Sequence, residues 1–534
     1  VSLDALVPPQ RTPGWRSRGS QSPPRVDVLT GSHPPHEVER VVDDSAGEFG
    51  AEPARAWRDR PSPGTTTATF VLDVDGERVE VHVVPLHGGA PETVRAVVPP
   101  VSRWQVVIHV AGQPGGRAEA VARWLGAELR QRGASFTDAE LKTLWSAMPL
   151  LAHYATPEPA LADWALVFRD AYTENSVGFL LAAERAGLRR EWIYALSTGD
   201  QTLRRDRVHA WFLRRGYRSD VLDDRVTGGG LVTPADSRQA RATRASVEEF
   251  TRRAHAAGRR VLVIDHGGAL SAGAGLGVGR PDAAVELTSA GLARVTAADP
   301  GFPVFDLAHS RLRAQLGHSE IADACLRRLR SLLPGEKFVG RRVLLVGYGA
   351  LGSRLAERLR STGCRVLVVD PDIGALVQAA ERGFETARTV RAALDRSRPF
   401  LVVGCLGSPV LDPAELSLLP DGVLLAGFTP QDFAPLSDGR GELAATAVPG
   451  VGVRYTSAGG AGMLLLGDGR WLGLFEDEGI PNRGSDVFRA GLLIAARELC
   501  RQAADLPAGV HLRPVDEALD AAGLFDAYYD EYLA

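Results

Sequence analysis

Gly347, Gly349 and Gly352 stand in the spacing G-x-G-x-x-G inside VLLVGYGALGSRLAERLRSTGCRVLVVDPD, residues 343–372. The chemistry this spacing serves is the holding of a dinucleotide. The first glycine permits a tight turn, the second lets a pyrophosphate approach backbone, and the third lets the following helix pack on the strand. That helix presents free N–H groups and a positive dipole end to phosphate. Asp370 closes the next strand, near the expected separation of about 20 residues, where it can accept hydrogen bonds from ribose hydroxyls. A carboxylate there repels a 2′-phosphate, so the expected cofactor is NAD rather than NADP. A glycine turn that binds nothing, or one that takes S-adenosylmethionine or a flavin, are the alternatives. A second chemical group is His266, which follows an apolar strand in RRVLVIDHGGAL, residues 259–270. Imidazole titrates near neutrality, so a histidine at such a strand end suits general acid–base work; a loop histidine bonded to backbone is the plainer reading.

Several elements must position these groups. At 534 residues the chain exceeds one core, so two or three domains are expected. Residues 1–60, rich in Pro, Ser, Gly and Arg, read as a largely disordered arm. Residues 61–150 read as a small N-terminal α/β unit, with a hairpin around the Asp-Gly of TTTATFVLDVDGERVEVHVVPL. From about residue 151 helices and apolar strands alternate, which argues for parallel sheets with crossover helices. The expected fold class is α/β: a Rossmann-type doubly wound NAD domain over 311–483, a second α/β substrate domain over 151–310 with a return helix at 484–505, the N-terminal unit, and a tail at 506–534.

Composition excludes some functions. A net charge of −4 gives no nucleic-acid footprint. No apolar run reaches the roughly 18 residues that cross a bilayer, and the first residues lack the apolar core of a signal peptide. Cys325, Cys364, Cys405 and Cys500 show no metal-like spacing, so no metal site is expected. A reduced, cytoplasmic protein follows as the expectation. The only lysines are Lys142 and Lys337, which leaves little room for a lysine-based mechanism.

The segment VGRRVLLVGYGALGSRLAERLRSTGCRVLVVDPDIGALVQAAERGFE resembles the NAD domain of the S-adenosylhomocysteine hydrolase (adenosylhomocysteinase) family. The resemblance extends through VLVIDHGGAL, ELTSAGLARV and PVFDLAHSRLRAQLGHSEIADACLRRL, then through VVGCLGS, LLAGFT, DGRWLGL and PAGVHLRPVDEALDAAG, roughly residues 160–522. It implies a tightly bound NAD that oxidises a substrate hydroxyl, a small-molecule substrate, and a homo-oligomer, dimer or tetramer. For the cofactor it implies contacts from Ala350 and Leu351 within the glycine turn, from Thr288 and Ser289 at the nicotinamide end, and from Cys405 and Gly427 after two later strands.

The family's catalytic positions have changed here. Asp265 is kept, but His266 stands where a second aspartate is expected. Leu287 occupies the place of a glutamate, Arg313 that of a lysine, Gly317 that of an aspartate, and Phe428 that of a turn histidine. The candidate catalytic set is therefore His266, His318, Arg313 and Asp265. On a helix, Arg313 and His318 would lie roughly 140° apart and only partly converge. Arg313 suits the clamping of a carboxylate or phosphate rather than proton abstraction, because guanidinium does not deprotonate. Asp170, Thr173, Glu174 and Asn175 read as a helix-capping box or, alternatively, as site acids. Three functions fit: an NAD-dependent enzyme acting on a hydroxyl or amine of a different substrate, a non-catalytic NAD-binding scaffold or sensor, and a genuine S-adenosylhomocysteine hydrolase.

Overall fold

The structure is a computed structural model. It describes residues 25–31, 35–50, 52–57, 68–85, 104–111, 116–132, 136, 138–198, 205–222, 225–227, 230–232, 238–272, 280–429, 432–433, 436, 443–448, 451–456, 462–467, 472 and 482–534. The chain divides into two compact units, one formed by residues 3–143 with 203–211, the other by 144–202 with 212–534.

The first unit is an antiparallel sheet of five strands in the order β1-β5-β4-β3-β2, with β1 Arg25–Gly31, β2 Glu52–Trp57, β3 Ala68–Val74, β4 Glu77–Pro85 and β5 Trp104–Ala111. The Asp-Gly hairpin is present: Asp75 and Gly76 take φ of 55° and 82° between β3 and β4, as a two-residue turn matched to strand twist requires. The helices Pro35–Phe49 and Arg117–Arg132 share one core with Leu72, Val79, Val81, Val83 and Ile108. Residues 1–60 are therefore not an arm throughout. Residues 1–24 lie outside the described residues, but β1, the helix Pro35–Phe49 and β2 belong to this unit. The reason is local: Val38, Val41 and Val42 recur at helical spacing and are fully or almost fully buried, a short signal within a polar, Pro-rich composition.

The second unit holds a parallel sheet and a mostly parallel one. The seven-stranded sheet runs β22-β13-β12-β11-β6-β7-β8, with β6 Trp164–Asp170, β7 Ile193–Ser197, β8 Arg218–Val221, β11 Arg260–Asp265, β12 Ala283–Glu286, β13 Pro303–Asp306 and β22 Gly509–His511. A small hairpin, β9 Arg225–Thr227 with β10 Gly230–Val232, stands apart from it. The eight-stranded sheet runs β16-β15-β14-β17-β18-β21-β20-β19, with β14 Arg342–Val346, β15 Arg365–Val369, β16 Glu385–Ala387, β17 Leu401–Gly404, β18 Val423–Gly427, β19 Ala444–Val448, β20 Gly452–Thr456 and β21 Gly462–Leu466. Its first six strands are parallel, and β20 runs antiparallel to both of its neighbours, β21 and β19. The buried strands read as near-continuous apolar runs, RVLLV in β14 and WALVF in β6, because helices cover both faces of such sheets.

Both sheets are wound outward in two directions from a central pair. In the seven-stranded sheet the chain leaves β6 for β7 and β8 on one side, then returns to β11, β12 and β13 on the other. In the eight-stranded sheet it leaves β14 for β15 and β16, then returns to β17, β18 and β21. Each sheet thus has one topological switch point, β6/β11 and β14/β17, and ligands of open α/β sheets bind outside the carboxyl ends of strands at such points.

The return helix runs Arg483–Gln502, led by an Asn482–Ser485 capping box, and packs against the helices Pro149–Tyr154 and Glu174–Ala186. Residues 506–534 are more than a tail. β22 extends the seven-stranded sheet beside β13, and Tyr532 donates a 2.6 Å hydrogen bond to Asp486, which accepts the backbone N–H groups of Leu150 and Leu151. No helix among the described residues is long and apolar enough to cross a membrane.

Candidate active site

Two charged residues end β6, Arg169 and Asp170, and two follow from β11, Asp265 and His266. The parallel pairing of β6 with β11 sets Asp265 opposite Arg169, so the next residue on each strand leaves the sheet at the same place. His266 Nδ1 then lies 2.9 Å from Asp170 Oδ1. The other Asp170 oxygen lies 2.6 Å from a guanidinium nitrogen of Arg489 on the return helix. Arg489 also donates to Asn175 Oδ1 at 2.8 Å and to Ser176 Oγ at 3.2 Å. Burial alone would raise the Asp170 pKa, but the Arg489 charge and the hydrogen bond from His266 outweigh it and hold the carboxyl far below the usual range. An ionised carboxylate only accepts, so His266 Nδ1 carries the proton in this pair. A base oriented by a third group is the arrangement that proton abstraction uses.

His266 and Asp170 line a cavity of about 300 Å³. Arg313, His318, Phe488 and Arg489 line it too, as do Leu351 from the helix after the glycine turn and Phe428 and Thr429 after β18. Both sheets therefore deliver residues from the carboxyl ends of their strands to one space. Arg313 and His318 converge more closely than α-helical spacing allows. Residues Arg313–Gly317 form a π turn, and the His318 N–H bonds the Arg313 carbonyl. Closing the turn at i→i+5 stacks the two side chains on one side, and such turns concentrate at functional sites. The Arg313 guanidinium sits 5.0 Å from the centre of the Phe488 ring.

The expectation that His318 serves as acid or base meets a physical obstacle. Burial, then the charges of Arg313 and Arg354, push it down to about 4, so it is a neutral imidazole and a weak base near pH 7. Its Nδ1 is enclosed without a hydrogen-bond partner. The unfolded chain takes up this proton near pH 6.5 and the folded one only near 4. Stability conferred by a neutral His318 is therefore complete above 6.5 and is lost as pH falls towards 4. Between those limits wild type should lose roughly 2–3 kcal/mol more than His318→Gln, measured by denaturant unfolding at each pH; parallel curves would show that the imidazole is not held neutral.

Asp265 does not belong to the cavity. It is fully buried, pairs with the fully buried Arg169 at 3.1 Å, and accepts from the Leu270 and Ser271 N–H groups and the Ser271 hydroxyl. Arg169 continues to the His266 carbonyl at 2.5 Å. Asp265 thus supports the turn that carries His266. Glu286, opposite Asp265 on β12, accepts from the Gly267 and Thr288 N–H groups; burial and then the Asp265 charge push its carboxyl up. His309 bonds Asp306 at 3.0 Å.

At the cofactor end the three glycines differ as their roles require. Gly347 has φ of 105°, and a Cβ there would lie 2.7 Å from the Cys405 carbonyl. A Cβ on Gly352 would lie 2.0 Å from the Gly347 oxygen. A Cβ on Gly349 would meet nothing within 4 Å, which is the open approach a pyrophosphate needs. Gly349 begins the helix Ala350–Ser361 with no side chain capping it. Asp370 accepts the Tyr348 N–H at 2.6 Å and the Asp372 N–H at 2.8 Å. A carboxylate has about four acceptor positions, so two remain for ribose hydroxyls. These residues fit NAD.

Other expected cofactor contacts stand differently. The Thr288 hydroxyl caps the helix Ser289–Ala298 and donates to Glu286, Ser289 is exposed, and it is Leu287 that reaches the cavity. The reason is that a threonine opening a helix satisfies an orphan N–H. Cys405 lies beside the glycine turn through its backbone, with burial raising its thiol pKa. Gly427 packs near Phe433 and Asp432. Asp432, which the sequence did not single out, accepts from the Leu406, Phe428 and Thr429 N–H groups and organises the loops after β17 and β18. Among the described residues no cluster of His, Cys, Asp and Glu could hold a metal ion.

Residues 337–416 match a family model described as putative NAD(P)-binding. The chain is 26% identical over 179 residues to an adenosylhomocysteinase of Gloeothece citriformis, covering 33% of this chain and 41% of that one. It is 28% identical over 205 residues to an adenosylhomocysteinase of Saccharolobus solfataricus, covering 38% and 46%, and 26% identical over 188 residues to an S-inosyl-L-homocysteine hydrolase of Methanopyrus kandleri, covering 33% and 42%. The chain thus spans less than half the length of the curated relatives it matches. Among solved structures, the A chain of dipicolinate synthase from Bacillus subtilis is 13% identical at a TM-score of 0.33, over 64% of this chain and 98% of that one, too low a score to carry an argument. Over about a third of its length the chain is thus similar to adenosylhomocysteinases, and within that stretch lies a domain of the NAD(P)-binding kind.

Proposed function

We propose that this chain is an NAD-dependent enzyme that oxidises a hydroxyl or amine of a small substrate other than S-adenosylhomocysteine. The observation that carries this reading is the shared cavity, where His266 and Asp170 from one switch point meet residues flanking the other. Gly347, Gly349, Gly352 and Asp370 would hold NAD, which when bound supplies a hydride acceptor. His266 Nε2 would take the substrate proton, and Asp170 would stabilise the imidazolium that forms. Arg489 keeps Asp170 ionised for that purpose. Leu287, Phe428 and Phe488 give the same space apolar walls.

S-adenosylhomocysteine fits this cavity poorly as a reactant. Leu287, Arg313 and Phe428 line it at the positions where the resemblance implies a glutamate, a lysine and a histidine. The test is to denature the purified protein, identify the released nucleotide, and compare its redox state before and after incubation with candidate substrates. NAD(H) should be released, its redox state should change with the true substrate, and S-adenosylhomocysteine should yield no adenosine above background. Absence of any bound or bindable NAD(H), or robust adenosine release, would overturn the reading.

A further inference from the structure

We infer that Arg354, on the helix that follows the glycine turn, is a positioning residue that holds Arg313 and His318 together at the cavity wall. The inference rests on the reading above only in taking that cavity as the working site. A displaced carbonyl carries it. In an α-helix the His318 N–H would bond the Ala314 carbonyl, four residues back. It bonds the Arg313 carbonyl instead, so the Ala314 carbonyl loses its helical donor. Arg354 supplies the replacement. Its Nη2 donates to the Ala314 carbonyl, its Nε to Ser319 Oγ at 3.1 Å, and its Nη1 to the Ala350 carbonyl at 2.7 Å. One side chain thus joins the π turn, the helix that continues from it and the first turn of the cofactor helix.

Two further features fit this role. The helices Ala350–Ser361 and His318–Leu332 pack on one another, and Arg358, one turn after Arg354, pairs at 2.5 Å with Asp323, one turn after Ser319. That second rung fixes the register of the two helices, so Arg354 is delivered beside the turn. Gly317 is the other feature. A Cβ there would lie 2.9 Å from Arg313 Cδ, so the missing side chain lets the Arg313 stem lie across the turn. Without Arg354 the extra carbonyl has only water for a partner, and ordinary α-helical closure, which gives each carbonyl an N–H, is favoured. At that spacing Arg313 and His318 stand roughly 140° apart. The cofactor helix therefore sets part of the wall that a substrate meets.

The experiment is a double-mutant cycle read on His318. Its imidazole is titrated by NMR in histidine-labelled protein without nucleotide, and its signal is identified by loss in His318→Gln. Burial, then the charges of Arg313 and Arg354, push this imidazole down to about 4. Arg313→Met should therefore raise the midpoint, and only while the two side chains are neighbours. The rise should be the same in wild type and in Arg358→Met, and should fall to less than half in Arg354→Met. Arg354→Lys keeps the charge but not the planar fork; it should also lose more than half of the rise, and it carries the test if Arg354→Met does not fold. Retention of half or more of the rise in the Arg354 variant overturns the assignment. An equal loss in Arg358→Met overturns it as well, since that marks a general loosening of the two helices. NAD affinity in Arg354→Met should stay within about threefold of wild type; a larger loss would make Arg354 a cofactor ligand and also overturns the assignment. Absence of NAD binding by wild type is a separate result: it removes the reading above and leaves the cycle, measured without nucleotide, to decide this one.

Discussion

Asp265→Ala should destabilise the second unit by about 3–5 kcal/mol, the cost of leaving one member of a buried ion pair alone. Arg169 and Asp265 are both fully buried, and Asp265 additionally accepts three hydrogen bonds from Leu270 and Ser271. Removing it strands the guanidinium and frees the backbone of the turn that carries His266. Chemical denaturation, followed by the fluorescence of Trp164 and Trp192 among the other tryptophans, reads this out. A loss below about 1 kcal/mol would mean that Asp265 is not the support described and would reopen a direct role for it.

His266→Asn should reduce turnover of the true substrate by roughly 10²- to 10⁴-fold, the usual contribution of a positioned general base. Asparagine preserves size and a hydrogen bond towards Asp170 but cannot titrate. Asp170→Asn should act in the same direction by another route, since an amide can donate to Nδ1 and so leave Nε2 carrying the proton. NAD affinity should be unchanged in both variants. If His266→Asn turned over its substrate within twofold of the wild-type rate, His266 would not be the base.

Much of the fold was legible because its signals are local. The glycine spacing, the apolar runs RVLLV and RVLVV and the closing Asp370 lie within thirty or so consecutive residues, and the Asp-Gly turn declared its hairpin directly. The site was legible only by halves. His266 stood out through its residue type and its strand end, but its partner Asp170 is separated from it by 96 positions and meets it only through the register of β6 on β11. In the sequence Asp170 looked equally like part of a helix cap. A usable signal was present in the paired strand ends, Arg-Asp on β6 and Asp-His on β11, which parallel neighbours at a switch point would bring together. Arg489 gave no such signal, since it lies among many arginines on a helix far along the chain. The π turn was invisible too, because Arg313 and His318 at ordinary helical spacing point in different directions. Thr288 misled for the opposite reason: a residue type shared with a cofactor-binding run serves equally well as a helix cap.

A crystal structure of the NAD complex would show whether the nicotinamide and the His266–Asp170 pair share one cavity. Pyrophosphate is expected over Gly349, ribose hydroxyls on Asp370 and the nicotinamide ring inside the cavity bounded by Leu287, Phe428 and His266. A nicotinamide directed away from that cavity, or a dinucleotide bound elsewhere on the chain, would contradict it.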